Sequence, residues 1–232
     1  MNAEHWSVTL HPPLLTTTSG DAIGLGVIYC IGRNYADHAR EMNAPRPVEP
    51  IVFIKPPSAY VPDGGTVVAP AAGHLLHHEV EVVAVIGTAL SHATPEAAAG
   101  AIMGYAVGID VTLRDVQQRA KAEGLPWAVA KGFATSAPIS RVVPASQIDR
   151  LDRIEFGLAV NGIERQRGKP AQMLWSVEEL VAYLSKWFVL QPGDVVLTGT
   201  PQGVGPLEDG DRVHAWLGDA VTLDVQVHVP KA

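Results

Sequence analysis

Two glutamates stand one residue apart in the apolar run His77-His78-Glu79-Val80-Glu81-Val82-Val83-Ala84-Val85-Ile86. The run is rich in β-branched residues and is bounded by Gly73 and Gly87, so it reads as a strand on which Glu79 and Glu81 share a face. Two carboxylates side by side among valines repel each other and lose hydration. A proton or a hard divalent cation relieves both penalties. Strands of antiparallel sheets also alternate polar with apolar, so a water-facing pair is the plainer reading; the unbroken apolar stretch after Glu81 favours a buried strand.

Asp110 follows Gly108-Ile109 and precedes a helical segment, a position where aspartate commonly caps a helix. As a third oxygen ligand it completes a Glu, Glu, Asp set whose hardness suits Mg2+ or Mn2+. Lys131 is embedded in apolar sequence, where an ammonium is costly unless a carboxylate or a substrate answers it. His38 and Glu41 are three apart on a short predicted helix, so the carboxylate can fix the imidazole tautomer and raise its basicity, as a general base requires. The same spacing is common on solvated helix faces. Arg114 and Gln117 also lie three apart and share a face. His77 and His78 adjoin the glutamates and suit supporting or packing roles. The segment Leu197-Thr198-Gly199-Thr200-Pro201-Gln202-Gly203-Val204-Gly205, a strand running into a glycine-rich loop, could present backbone N–H groups to an anion, although it lacks the lysine of a nucleotide-binding loop.

These residues need a scaffold. Strand signals fall at residues 25–31, 51–54, 67–69, 101–109, 139–143, 154–160, 163–166, 194–198, 212–217 and 221–229, with Asn161-Gly162 as a hairpin turn. Helices are expected from an Asn34 cap to about Met42, around 95–99, over 112–123 closed by Gly124, and over 176–186 behind the capping box Ser176-x-x-Glu179. Many strands with few, irregularly placed helices indicate an α+β roll rather than a doubly wound sheet. A lead-in over 1–24 and a single domain over 25–232 are expected.

With 232 residues and a net charge of -7, the chain can bury a substantial core and lacks the basic footprint of nucleic-acid or anionic-membrane binding. Its expected partner is a small molecule. The single cysteine, Cys30, lies in an apolar run and reads as a buried thiol in a reducing compartment. The opening residues carry no signal-peptide pattern and no apolar run is long enough to span a bilayer, so a cytoplasmic protein is expected.

Five ordered segments together resemble the fumarylacetoacetate hydrolase family, and are most similar to its short acylpyruvase branch. They are Ile31-Gly32-Arg33-Asn34-Tyr35-Ala36-Asp37-His38, His77-His78-Glu79-Val80-Glu81, Asp110-Val111-Thr112-Leu113-Arg114-Asp115-Val116-Gln117, Gly124-Leu125-Pro126-Trp127 with Ala130-Lys131, and Leu197-Thr198-Gly199-Thr200-Pro201. The resemblance implies a mixed β-sandwich roll that forms homodimers. It implies Glu79, Glu81 and Asp110 as ligands of Mg2+ or Mn2+, Lys131 as the active-site lysine, and His38 with Glu41 as a catalytic pair on a lid. It places Arg33, Arg114, Gln117 and Thr200 near the substrate, a 2-oxo acid. The expected reaction is hydrolysis of an acylpyruvate such as fumarylpyruvate or acetylpyruvate to pyruvate and a carboxylic acid. Oxaloacetate decarboxylation and isomerisation or hydration of unsaturated 2-oxo diacids are alternatives that pass through a similar enolate; a metal-stabilised organic-acid binding module is the non-enzymatic one.

Overall fold

A computed structural model describes residues 12–41, 46–71 and 74–231. Much of the lead-in, the expected helix end at Met42 and the bounding Gly73 lie outside the described residues. The described part of the lead-in forms a hairpin of β1 (Leu14–Thr16) and β2 (Ala22–Gly24), with Leu15 fully buried. Then come β3 (Ile28–Gly32), helix α1 (Ala36–Glu41), β4 (Ile51–Lys55), β5 (Tyr60–Val61), β6 (Thr66–Val68), β7 (Leu76–His78) and β8 (Val80–Ile86). Helix α2 (Pro95–Ala101) leads into β9 (Ile102–Ile109), β10 (Thr112–Leu113), α3 (Arg114–Glu123) and the single turn α4 (Ala128–Lys131). The remainder is β11 (Ala137–Pro138), β12 (Val143–Pro144), β13 (Phe156–Val160), β14 (Ile163–Gly168), α5 (Val177–Ser185), β15 (Val195–Leu197), β16 (Gly205–Pro206), β17 (Arg212–Leu217) and β18 (Val221–His228).

The α+β expectation holds. A six-stranded mixed sheet runs β12-β9-β8-β15-β3-β4 and a five-stranded sheet runs β14-β13-β17-β18-β6. Val82, Ala84, Ile86 and Val107 of the first sheet pack with Phe156, Leu158, Ala215 and Leu223 of the second in the main core. On the other face of the first sheet, Cys30, Val83, Val85 and Leu197 meet Leu15, Ile139 and Val142 in a second core. Strand β8 is therefore buried on both faces, which explains why its sequence is continuously apolar instead of alternating.

Three local expectations change. The glutamate strand is broken at Glu79: β7 belongs to a three-stranded sheet with β10 and β16, and β8 to the six-stranded one. Asn34 does not serve as a helix cap. Its side chain donates to the carbonyls of Trp175 (3.1 Å) and Thr198 (2.8 Å) and accepts from Trp175 N (3.0 Å), joining the root of α1 to the end of β15. The helix expected from residue 112 begins at Arg114, because Thr112 and Leu113 pair with His77 and Leu76 as a short strand. Its far end follows expectation, with Gly124 in the left-handed region at φ 68° and its N–H bonded to Ala120 O.

Candidate active site and metal centre

The acidic residues are brought together by the pairing of β8 with β9. The two strands run antiparallel with Glu81 opposite Gly108, and Asp110 N donates to Glu79 O at 2.8 Å, so the joint at Glu79 is tied to the residue that follows β9. One carboxylate oxygen from each of Glu79, Glu81 and Asp110 can be chosen so that all three lie within 4.8 Å of one another. The residues are 5%, 1% and 1% exposed. Asp110 is not a helix cap.

Three buried cations surround the carboxylates. Lys131, on α4, donates to Glu79 Oε2 (2.8 Å), Asp110 Oδ2 and Thr112 Oγ1 (2.7 Å). Arg114 donates to Glu79 Oε1 and, at 2.6 Å, to Gln117 Oε1. Lys55, at the end of β4, places its Nζ 2.8 Å from Asp110 Oδ1. Its N–H groups, however, point to the carbonyls of Val111 (3.2 Å), Lys131 and Ser136 (2.9 Å). The contact is thus an ion pair without a directed hydrogen bond, and Asp110 Oδ1 is a buried oxygen with no hydrogen-bond donor.

That orphaned oxygen tests whether a metal fits. Glu81 receives the N–H of Gly199 at 2.6 Å on Oε2 but has no ion pair among the described residues. Burial lifts the Glu81 carboxyl well above the usual range, and the nearby Asp110 and Glu79 lift it further. Burial also opposes ionisation of Glu79, yet Lys131 and Arg114 prevail and hold it well below the usual range. An all-oxygen, acid-rich donor set with an unanswered oxygen and one carboxylate short of positive charge suits a hard divalent cation.

His38 lines the same cavity as Glu79 and Glu81. His38 is buried and its Nδ1 lies 3.2 Å from Glu41 Oε2. An ionised carboxylate only accepts, so Nδ1 carries the proton and Nε2 is left free as a base. Burial lowers the imidazole pKa despite the opposing pull of Glu79 and Glu41, so the ring is neutral near pH 7. Glu41 also accepts from Gly203 N at 3.0 Å, pinning the end of α1 to the glycine-rich loop. The N–H groups of Gly199 and Gly203, offered by the sequence as a cradle for a substrate anion, are bonded to protein carboxylates instead.

Arg33, His38, Glu79, Glu81, Arg114, Gln117, Lys131 and Thr200 all line one cavity. Arg114 and Gln117, which spacing alone would leave in solvent, are 4% and 3% exposed. Thr200 is fixed by Gln166, whose Nε2 donates to Thr200 Oγ1 (2.8 Å) while its Oε1 accepts from Val80 N (3.0 Å) and meets His78 Nδ1 (2.8 Å). His78 has the supporting role expected of it.

Sequence reasoning missed Lys55, Gln166 and Lys121, the last of which also lines the cavity. Lys55 carried the same signal as Lys131, a lysine ending an apolar run. Lys121 lies on the face of α3 already marked by Arg114 and Gln117. Gln166 gave no signal.

A model of the fumarylacetoacetate (FAA) hydrolase C-terminal domain matches residues 27–228. This chain belongs to the fumarylacetoacetate hydrolase family. Among its family relatives, the human mitochondrial oxaloacetate tautomerase FAHD1 is 43% identical over 205 residues, covering 88% of this chain and 92% of the relative. The counterpart of the same name from Arabidopsis thaliana is 46% identical over 204 residues, covering 87% and 92%. The fumarylpyruvate hydrolase of Pseudomonas aeruginosa, solved with Mn2+ and pyruvate, superposes with a TM-score of 0.91 at 40% identity, covering 98% of this chain and all of that one. A 5-carboxymethyl-2-hydroxymuconate delta-isomerase from Mycobacterium smegmatis superposes at 0.81 with 35% identity, covering 94% and 81%. The family is enzymatic. Among the described residues of this member no helix is long and apolar enough to cross a membrane.

Proposed function

We propose that this chain is a divalent-metal-dependent hydrolase that cleaves a carbon-carbon bond of acylpyruvates, giving pyruvate and a carboxylic acid. One observation carries the reading: a neutral His38, its Nδ1 engaged by Glu41, lines the same cavity as Glu79 and Glu81. A base next to a charge-accepting centre is what hydrolysis needs and simple binding does not. Mg2+ or Mn2+ on Glu79, Glu81 and Asp110 would supply Lewis acidity toward the 2-oxo acid oxygens and stabilise enolate charge.

His38 Nε2 takes a proton from water as the water oxygen bonds to the distal carbonyl carbon. The bond from that carbon to the pyruvate methylene then breaks, its electron pair passing into the pyruvate enolate, and the imidazolium returns its proton to the methylene carbon. Glu41 stabilises the transient imidazolium. Arg114, Gln117 and Lys131 form the polar wall on which the 2-oxo acid carboxylate rests, with Thr200, which lines the same cavity, held by Gln166. The buried Cys30 agrees with a cytoplasmic setting. The edge strand β4 and the exposed Ile54, Leu125 and Val129 offer an apolar face in keeping with a homodimer.

The names of the tautomerase relatives favour a second reading, proton transfer between carbon and oxygen of oxaloacetate with no attacking water. His38 suits that step equally, and oxaloacetate decarboxylation and 2-oxo diacid isomerisation draw on the same enolate. Assays with acetylpyruvate, fumarylpyruvate and oxaloacetate in Mg2+ or Mn2+ decide. Pyruvate release from the acylpyruvates, lost in His38→Ala, is expected. Enol-keto exchange of oxaloacetate without acylpyruvate cleavage would install the second reading, and turnover of none would leave only an organic-acid binding module.

A further inference from the structure

Among the described residues none of the five-stranded sheet lines the cavity, yet one of its side chains bonds to a residue that does. Gln166, on β14, is 1% exposed. Strand residues two apart share a face, so Glu164 and Gln166 should point the same way, but Glu164 is exposed and Gln166 is buried. The register with β13 explains the difference: Leu158 faces Gln166 and Ala159 faces Glu164, which leaves Arg165 as the extra residue of a bulge. The bulge turns Gln166 inward. The loop after β15 lies directly on it, so close that a Cβ at Gly203 would collide with Arg165 O.

Every hydrogen-bonding position of the Gln166 amide is occupied. Its Oε1 accepts from Val80 N (3.0 Å) and meets His78 Nδ1 (2.8 Å), and its Nε2 donates to Thr200 Oγ1 (2.8 Å) and Pro201 O (3.0 Å). Val80 N can only donate, which fixes the oxygen end of the amide and turns the nitrogen toward Thr200. The Thr200 hydroxyl is therefore an acceptor for Gln166 and keeps its own proton to give, and no described residue takes it. Thr200 is 2% exposed and lines the cavity, so the cavity is where an acceptor can stand. The same amide holds the peptide joining Glu79 to Val80, whose oxygen accepts from Asp110 N and whose N–H goes to Gln166.

We propose that Gln166 is a positioning residue for ligand binding: by donating to Thr200 it presents the Thr200 hydroxyl proton to a carboxylate or keto oxygen of the bound 2-oxo acid, without touching the ligand itself. The proposal rests on the 2-oxo acid reading above. With its oxygen held by Val80 N, the amide cannot turn its nitrogen away from Thr200. The hydroxyl thus stays a donor before the ligand enters and needs no reordering on binding. Without the amide it is free to rotate.

The test is a double-mutant cycle read as pyruvate affinity, by calorimetric titration into the Mn2+-saturated protein, so it depends on no turnover. Thr200→Val removes the donor and is expected to weaken pyruvate by about tenfold or more, the worth of a hydrogen bond to a charged group, whereas Thr200→Ser should retain the affinity. Gln166→Met should weaken pyruvate several-fold on its own and add nothing in the Thr200→Val background. Gln166→Glu at pH 8 serves where Gln166→Met does not fold, because it keeps an acceptor for Val80 N. Its carboxylate accepts from Thr200 and draws the hydroxyl away from the ligand, with the same loss of effect in Thr200→Val.

Gln166 variants that bind pyruvate as the unaltered protein does would overturn the proposal. So would losses that multiply with Thr200→Val, because a residue serving only the fold does not act through that hydroxyl. Absence of pyruvate binding by the unaltered protein would defeat the 2-oxo acid reading and the proposal with it. Coupled losses in a protein that cleaves no acylpyruvate would defeat the hydrolase reading and leave the role of Gln166 standing.

Discussion

The carboxylate of Glu41 touches His38 Nδ1 with one oxygen and accepts the backbone N–H of Gly203 with both, at 3.0 and 3.3 Å, so one side chain orients the base and fastens the helix that carries it. The fastening crosses 162 residues of sequence. Glu41→Gln can offer Nδ1 an amide N–H and so reverse the tautomer, leaving Nε2 protonated and unable to act as a base. A fall in kcat of about 10²- to 10⁴-fold with little change in KM is expected from steady-state kinetics. A KM rise at constant kcat would mean that Glu41 serves only to fasten α1 to the loop at Gly203.

Protonated His38 cannot accept a proton, so kcat/KM falls on the acid side. Burial sets the imidazole below its ordinary value of 6.5, hence the acid limb should lie below pH 6.5 and the rate should be flat through neutrality. The hydrogen bond and charge of Glu41 raise this pKa, so Glu41→Gln should displace the limb to still lower pH. A pH profile of residual activity checks both, and a displacement upward would contradict the assignment.

Glu81 gives a crossing pair of outcomes. Burial, with Asp110 and Glu79 alongside, raises its pKa, so the metal-free fold favours the neutral acid. Stability from this source is present below the ordinary carboxylate pKa and is lost as pH rises through and beyond it. At neutral pH Glu81→Gln should therefore raise the Tm of the metal-free protein. The same change should abolish the stabilisation by Mn2+, which for a site saturated at a hundred times its Kd is about 2.7 kcal/mol. Thermal unfolding with chelator and with Mn2+ measures both, and undiminished Mn2+ stabilisation would remove Glu81 from the ligand set.

Lys55 is fully buried beside Asp110 and donates to three carbonyls. Lys55→Met leaves those oxygens and a carboxylate uncompensated, and a loss of about 3–5 kcal/mol is expected by urea unfolding. A loss under about 1 kcal/mol would show that water or Lys131 takes over the role.

Gly199 sits at φ 96°, and a Cβ there would lie 2.6 Å from that of Asn34. Gly199→Ala should cost more than about 1 kcal/mol and, by shifting the N–H bonded to Glu81, weaken Mn2+ binding as well. Calorimetric metal titration alongside thermal unfolding separates the two effects. A destabilised variant with unaltered metal affinity would mean that this N–H does not help to set the Glu81 carboxylate.

Much of this was legible in the chain itself. The β-branched runs, the Asn161-Gly162 turn, the Ser176 capping box and Gly124 mark elements close to those observed, because strand pairing and helix capping leave local signatures. The chemical types of Glu79, Glu81, Asp110, His38, Glu41 and Lys131 also announced themselves, since a carboxylate or a lysine in apolar sequence must find a partner somewhere. The sequence stopped short where one residue serves two purposes at once. Asn34 looked like a cap and is a staple between distant segments, and the glycine-rich loop looked like an anion cradle and is bonded to the protein's own carboxylates.

By itself, then, the sequence determined which side chains are available for chemistry, which runs must be buried, and which family the chain resembles. These follow from side-chain chemistry and from periodicities that repeat within a few residues. Only the tertiary structure decided that Lys55 meets Asp110, that Glu41 answers to Gly203, and that Lys121 and Arg33 share a cavity with the acidic cluster. Those partnerships depend on sheet order, on register and on the one-residue joint at Glu79, and no local stretch of the chain encodes them.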